Sequence, residues 1–396
     1  MTSKHIVLFA LILLLFNACG EQAATVTPTV TPTEQPAVIN FQKTGQTLCY
    51  DAAGAIISCA GTGQDGELHK GGAWATPRFT GQSNGTLLDN NTGLIWTWDA
   101  NAPGPAACTP ATIKNWQAAL DYVTCLNTSG FLGFTDWRLP NVLELRSLVN
   151  TSQSDTSLWL IGQGFSGVQA EAWYWSSSSA ADGPSSAWGV GMVVGDVDGN
   201  DKSDYGYAWA VRSAQSGTFA YLLPRTGQTH CYDSTGAILA CTGTGQDGDT
   251  LKGAIWPKLR FTDVTNGSIR DNLTGLIWSK DANAPGPTAC TPATTKNWQA
   301  SLDYVKCLNT NIYLGFADWR LPNRIELSSL VDHAQLNQAT WLAGLGFTNV
   351  QAVYYWSAST SADSPSDAWG VDMGDGDIDG DNKTYSQFVW PVRSSR

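Results

Sequence analysis

Charge is scarce in this chain, and histidine scarcer. Only 14% of its 396 residues are Asp, Glu, Lys or Arg, against 42% hydrophobic, which excludes the charged, core-poor composition of a disordered chain. The basic share is the smaller one, 22 Lys and Arg against 34 Asp and Glu, for a net charge of −12. An acidic surface repels phosphate backbones and excludes nucleic acid as a natural partner. No Cys-x-x-Cys pair occurs, so thiolate-bound zinc lacks its usual spacing. Beyond residue 16 no segment is apolar enough to cross a bilayer. What the chain has in quantity is 40 Gly and 18 Trp, which describes a folded, loop-rich, aromatic protein long enough for two domains.

At the N-terminus Lys4 precedes an unbroken apolar run over residues 6–16, followed by small residues and Cys19. That run is too short to span a membrane and reads as an export signal. The "LFNAC" ending at Cys19 resembles a bacterial lipoprotein cleavage box. The resemblance makes residues 1–19 a lipoprotein signal peptide and Cys19 the lipidated residue; an ordinary signal peptide cut nearby is the alternative. Residues 20–40 alternate Thr and Pro without periodic apolar positions and form an extended spacer.

The remaining cysteines fall into two sets: Cys231, Cys241, Cys290 and Cys307 each follow Cys49, Cys59, Cys108 and Cys125 by 182 positions. In an exported protein four cysteines per copy point to two disulfides per copy. Three pairings are open, of which Cys49–Cys59 with Cys108–Cys125 is the local choice. The same offset relates "TGQTLCYDAAGAIISCAGTGQDG" to "TGQTHCYDSTGAILACTGTGQDG", and every tryptophan of the second copy has a partner in the first. A period this long exceeds that of solenoid repeats. The expectation is two tandem domains, 41–216 and 217–396.

Within each copy the patterns are mixed. "KNWQAALDYVTCLN" places Trp116, Leu120 and Val123 on one helical face, and "KNWQASLDYVKCLN" repeats it. Asn84-Gly85 and Asn266-Gly267 are hairpin turns ahead of the short strand "TGLIW", and "YWSSSS", "AWGVGMVV" and "YAWAVRS" are strand-like. Helices set among strands give an α+β fold. The hexapeptide "DWRLPN" occurs at 136–141 and again at 318–323. Extended, it turns Trp137 and Leu139 inward and places Asp136 and Arg138 together on the other face. Pro140 keeps Leu139 out of a helix, and Asn141 with Glu144 forms a capping box, repeated by Asn323 and Glu326. It reads as a strand-to-helix corner, not an active site.

The run from "GFTDWRLPNVLELRSLV" through "YWSSSSAADGPSSAWGVGM" to "AVRS", matched by "GFADWRLPNRIELSSLVD", "YYWSASTSADSPSDAWGVDM" and "VWPVRS", resembles the C-terminal domain of the Legionella collagen-like protein. The resemblance covers nearly everything after the spacer. It implies two tandem C-type-lectin-like domains of short twisted antiparallel strands around one or two helices. It also implies an adhesin-like binding role, since the named member binds sulfated polysaccharides. This chain lacks a collagen-like repeat and is acidic.

Catalysis finds little to work with. Shifted by the repeat, His69, His230 and His333 face Leu251, Leu48 and Thr151, so no histidine triad or zinc site can be shared by the copies. Paired carboxylates are left open. "DGDIDGDN" offers Asp375, Asp377 and Asp379 as calcium ligands in the D-x-D-x-D-G pattern, without the closing Glu; a polar hairpin turn is the alternative. Trp98 and Trp173 have Lys280 and Tyr355 as offset counterparts and are candidate sugar-stacking residues. The expected function is a non-catalytic lipoprotein of the bacterial cell envelope, at the outer membrane or surface, binding a glycan or envelope polymer and touching the membrane only through its lipid. A structural module that contacts envelope proteins is the alternative, and an envelope enzyme the third reading.

Overall fold

A computed structural model describes residues 38–395, apart from 172 and 215–218; the leader, Cys19 and most of the spacer lie outside the described residues. Each copy begins with a small hairpin, Cys49–Tyr50 against Ile56–Ile57 in the first and Cys231–Tyr232 against Ile238–Leu239 in the second. The hairpins are pinned by Cys49–Cys59 and Cys231–Cys241. The other two disulfides, Cys108–Cys125 and Cys290–Cys307, tie a short turn to the helices Trp116–Thr128 and Trp298–Thr310. All four pairs are the local ones. Asn115 caps the first of these helices by accepting from the Ala118 N–H, and Asn297 caps the second in the same way. Their inward faces bury Trp116, Leu120 and Val123, and Trp298, Leu302 and Val305.

Each copy has a four-stranded antiparallel sheet, Phe79–Gly81, Thr86–Asp89, Leu94–Thr97 and Val211–Ser213 in the first, Phe261–Asp263, Ser268–Asp271, Leu276–Ser279 and Val392–Ser394 in the second. The closing "VRS" strand returns to pair with "LIW", so the two ends of each copy meet. Three further strands per copy, Trp173–Ser179, Ser186–Gly191 and Val197–Asp201, then Tyr354–Thr360, Asp367–Asp372 and Ile378–Asn382, join edge to edge into one six-stranded sheet. The join is the pair Ile378↔Val197. This arrangement is mixed α and β, sheet-rich, with few helices, in two similar halves.

The hairpin of each copy packs on the other copy. Asp65, fully buried, accepts from Thr44 Oγ1 at 2.7 Å within its own segment and from Ser359 Oγ at 2.6 Å in the second copy. Gln46 brackets the same strand, accepting from the Thr360 N–H and donating to the Thr360 carbonyl. Asn323 reaches the Lys70 carbonyl at 3.1 Å, and Lys383 the Asp51 carbonyl at 3.2 Å. The reverse set is complete: Asp247 accepts from Thr226 and Ser178, both at 2.6 Å, Gln228 brackets Ser179, Asn141 reaches Lys252, and Lys202 reaches Asp233. The described residues of the two copies accordingly form one compact unit.

The hexapeptide corner differs from expectation in one respect. Trp137 and Leu139 are buried and the Asn141–Glu144 capping box is formed, but Asp136 and Arg138 do not pair with each other. Neighbours on one face of a strand are about 7 Å apart, and each finds a better partner. Arg138 is held by both oxygens of Glu144, and Asp136 binds Arg212 of the closing strand at 2.7 Å. Arg320–Glu326 and Arg393–Asp318 repeat this in the second copy.

Candidate functional site

Trp98 follows the strand Leu94–Thr97. Its N–H donates to the Gly85 carbonyl and its carbonyl accepts from the Ser166 N–H, each at 3.0 Å, so its backbone is fixed on both sides. The indole is nonetheless 52% exposed. In the second copy the equivalent residue, Lys280, forms an ion pair at 2.6 Å with Asp263. The counterpart of Asp263 is Gly81, and no heavy atom lies within 4 Å of where its Cβ would be. The first copy thus replaces the two members of a charged pair by an indole and a glycine. A rigidly held, open aromatic face can stack on an apolar ring face, while its N–H edge serves a hydroxyl.

Trp173 is placed differently. It is partly buried, lies edge-on to Trp175 with ring centroids 5.8 Å apart, and packs against the core of the Trp116–Thr128 helix. Gly189 and Gly206 make room for it, since a Cβ at either would fall within 3 Å of its ring. In the structure its counterpart at the head of the matching strand is Tyr354, so the position keeps an aromatic residue in both copies. Trp173 is a packing residue and does not join Trp98 in a common site.

The acidic loop lies at the seam between the copies. Because Val197 and Ile378 face the core, strand alternation puts Asp196 and Asp198 of one copy and Asp377 and Asp379 of the other together on the opposite face. Burial first, then the neighbouring carboxylates, pushes Asp198 and Asp377 up to about 7. Asp375 precedes the strand and accepts from the Asp377 N–H at 3.1 Å. The sequence offers Asp375, Asp377 and Asp379 as calcium ligands, with a polar hairpin turn as the alternative; among the described residues no group of three or more His, Cys, Asp or Glu side chains is arranged to hold a metal ion. Asp377 and Asp379 are spread along one face of an extended segment instead of folding around a centre.

The histidines are scattered by environment. His69 and His230 are exposed, whereas His333 is buried with its ring 5.2 Å from that of Trp188, and burial drives it down to about 3. Two groups escaped sequence reasoning. Asp65 and Asp247, raised to about 6 by burial, are the contacts that lock the copies together. Arg146 and Arg324 lie at the junction, and their signal was available: they face Ser328 and Val142 across the repeat.

Paired sheets, capped helices, disulfide-pinned hairpins and a duplicated corner define a tandem α and β domain protein. The chain matches the Lcl C-terminal domain over residues 85–212 and 267–393, more than half its length, and it belongs to that family. Both matches begin after the exchanged hairpins. No curated protein matches the chain.

Proposed function

We propose that the chain is an exported, lipid-anchored envelope protein whose first copy binds a glycan or surface polymer through Trp98, without catalysing its turnover. The exposed indole of Trp98, with Gly81 at the position of Asp263 where the second copy carries the Lys280–Asp263 pair, is the observation that carries this reading. Large exposed aromatics held on a rigid backbone are favoured binding anchors. Four disulfides support an oxidising, extracytoplasmic setting, and the anchor rests on Cys19 of the "LFNAC" box.

A glycan array probed with the purified chain, with and without calcium, tests the binding claim. Saturable binding to a defined sugar, lost in Trp98→Lys, is expected. Failure to bind any sugar would favour the assembly-module reading. Cys19→Ser should release the protein from membranes; retention in the membrane fraction would remove the anchor.

A further inference from the structure

Six arginines of the described chain, Arg78, Arg138, Arg212, Arg260, Arg320 and Arg393, each sit against a carboxylate. Arg146, Arg225 and Arg324 are at least partly buried and have no carboxylate within ion-pair distance among the described residues. Arg324 stacks on Trp369 at 3.8 Å and donates to the Gly195 carbonyl, leaving its Nε and Nη1 buried without a partner. The Nε of Arg225 is buried without one as well. Arg146 and Arg225 line a cavity of about 50 Å³ where the two copies meet. Its other walls are largely apolar and come from both halves, Leu143 and Phe41 from the first and Ile325, Leu223, Trp256 and Val331 from the second. Leu222, half exposed, stands among the lining residues.

Burying a cation without a counter-charge is costly, and chains normally pair it. Here the lining includes no Asp or Glu. Burial pulls the Arg146 guanidinium down to about 10, as expected where positive charge is uncompensated; Arg324 is pulled to about 9 by burial and by Arg146, against the opposing pull of Asp196, Asp379 and Asp198. A planar guanidinium fork matches a carboxylate in two parallel hydrogen bonds. The apolar walls suit a short hydrocarbon tail. On a scale where about 10–15 Å³ hold one water, the space admits a few carbons and excludes a polymer.

We propose that this junction cavity binds a short-chain carboxylate, its carboxyl on Arg146 and Arg225 and its tail against Leu143, Ile325 and Val331. The site is independent of Trp98. Its asymmetry is informative: the position equivalent to Arg146 is Ser328, so one anion binds at the junction, not one per copy.

Calorimetric titration of the full chain with butyrate, acetate, chloride and sulfate tests this, with thermal unfolding alongside. Saturable binding of one butyrate per chain is expected, tighter than acetate, with an upward shift in Tm. Arg146→Ser, which installs the residue of the other copy, should weaken butyrate about tenfold or more, the loss of a charge-assisted contact. Arg146→Lys keeps the charge but not the fork and should fall between. The same variants should raise the Tm of the ligand-free chain or leave it unchanged. No saturable butyrate binding would overturn the proposal. So would chloride or sulfate equalling butyrate, or unchanged affinity in either Arg146 variant.

Discussion

The first copy has an exposed tryptophan, Trp98, and a glycine, Gly81, at two positions that in the second hold Lys280 and Asp263 in an ion pair. At the junction the contrast runs the other way. The first copy contributes Val142 where the second has buried Arg324, Thr151 where it has buried His333, and Arg146 where it has Ser328. The disulfides, the capping boxes and the reciprocal Asp65 and Asp247 locks are the same in both copies. The pattern has a physical reason. Core and lock residues satisfy buried groups that cannot be left unpaired, so they tolerate little change in either copy. Outer surface tolerates it freely. At the junction both copies line one shared cavity, where two identical large side chains would compete for the same space.

Separating the copies should give the largest effect. Expressed apart, residues 38–214 and 219–395 each lose the hairpin that covers their own serine strand. Neither should be a folded monomer; each should self-associate by hairpin exchange or unfold, and mixing should yield a one-to-one complex. Size-exclusion chromatography with light scattering decides. Two stable monomeric halves would show that the exchange contributes little.

Breaking one buried ion pair comes next. Glu326→Ala strands Arg320 in the corner and unties the capping box, at a cost of about 3–5 kcal/mol. Because the halves interlock, chemical denaturation should show the whole chain unfolding in one transition at lower denaturant. Two separate transitions, one unshifted, would mean that the copies fold independently.

Much of this was legible in the sequence, and what was not has an identifiable cause. Constant cysteine spacing, the Trp116 helix face and the Asn–Glu capping box are local patterns, and local patterns survive folding. The exchange of hairpins is invisible because the two copies carry the same contact residues: Asp65 facing Ser359 and Asp65 facing Ser178 read identically. Asp136 and Arg138 share a face as read, but long-range partners, Arg212 and Glu144, decide their pairing. Trp173 drew notice by offset alone; the structural pairing with Tyr354 shows a conserved packing demand, whereas Trp98 against Lys280 shows a changed surface.

A smaller effect sharpens the picture of the seam. The carboxyls of Asp198 and Asp377 titrate near 7 in the folded chain and near 3.8 when unfolded. Between those values the folded chain holds protons that the unfolded chain has lost, so these groups stabilise the fold at low pH and cease to do so as pH rises through about 7. His333, buried neutral near 3, works in the opposite direction below its unfolded value of 6.5. A comparison of variants removes that background. Asp198→Asn with Asp377→Asn should be more stable than the parent at pH 8, by thermal unfolding, with the difference shrinking steadily as pH falls from about 7 toward 3.8. A difference that does not change with pH would show that neither burial nor the neighbouring carboxylates raise these two groups.

The binding claim is tested most directly by making the second copy resemble the first. Lys280→Trp with Asp263→Gly copies the Trp98–Gly81 arrangement onto its equivalent position, and calorimetry with the strongest sugar from the array reads the number of sites. The parent chain should bind one sugar, the grafted chain two at similar affinity, and the converse Trp98→Lys, Gly81→Asp chain none. Unchanged stoichiometry in the graft together with undiminished binding in the converse chain would contradict the assignment of the site to Trp98.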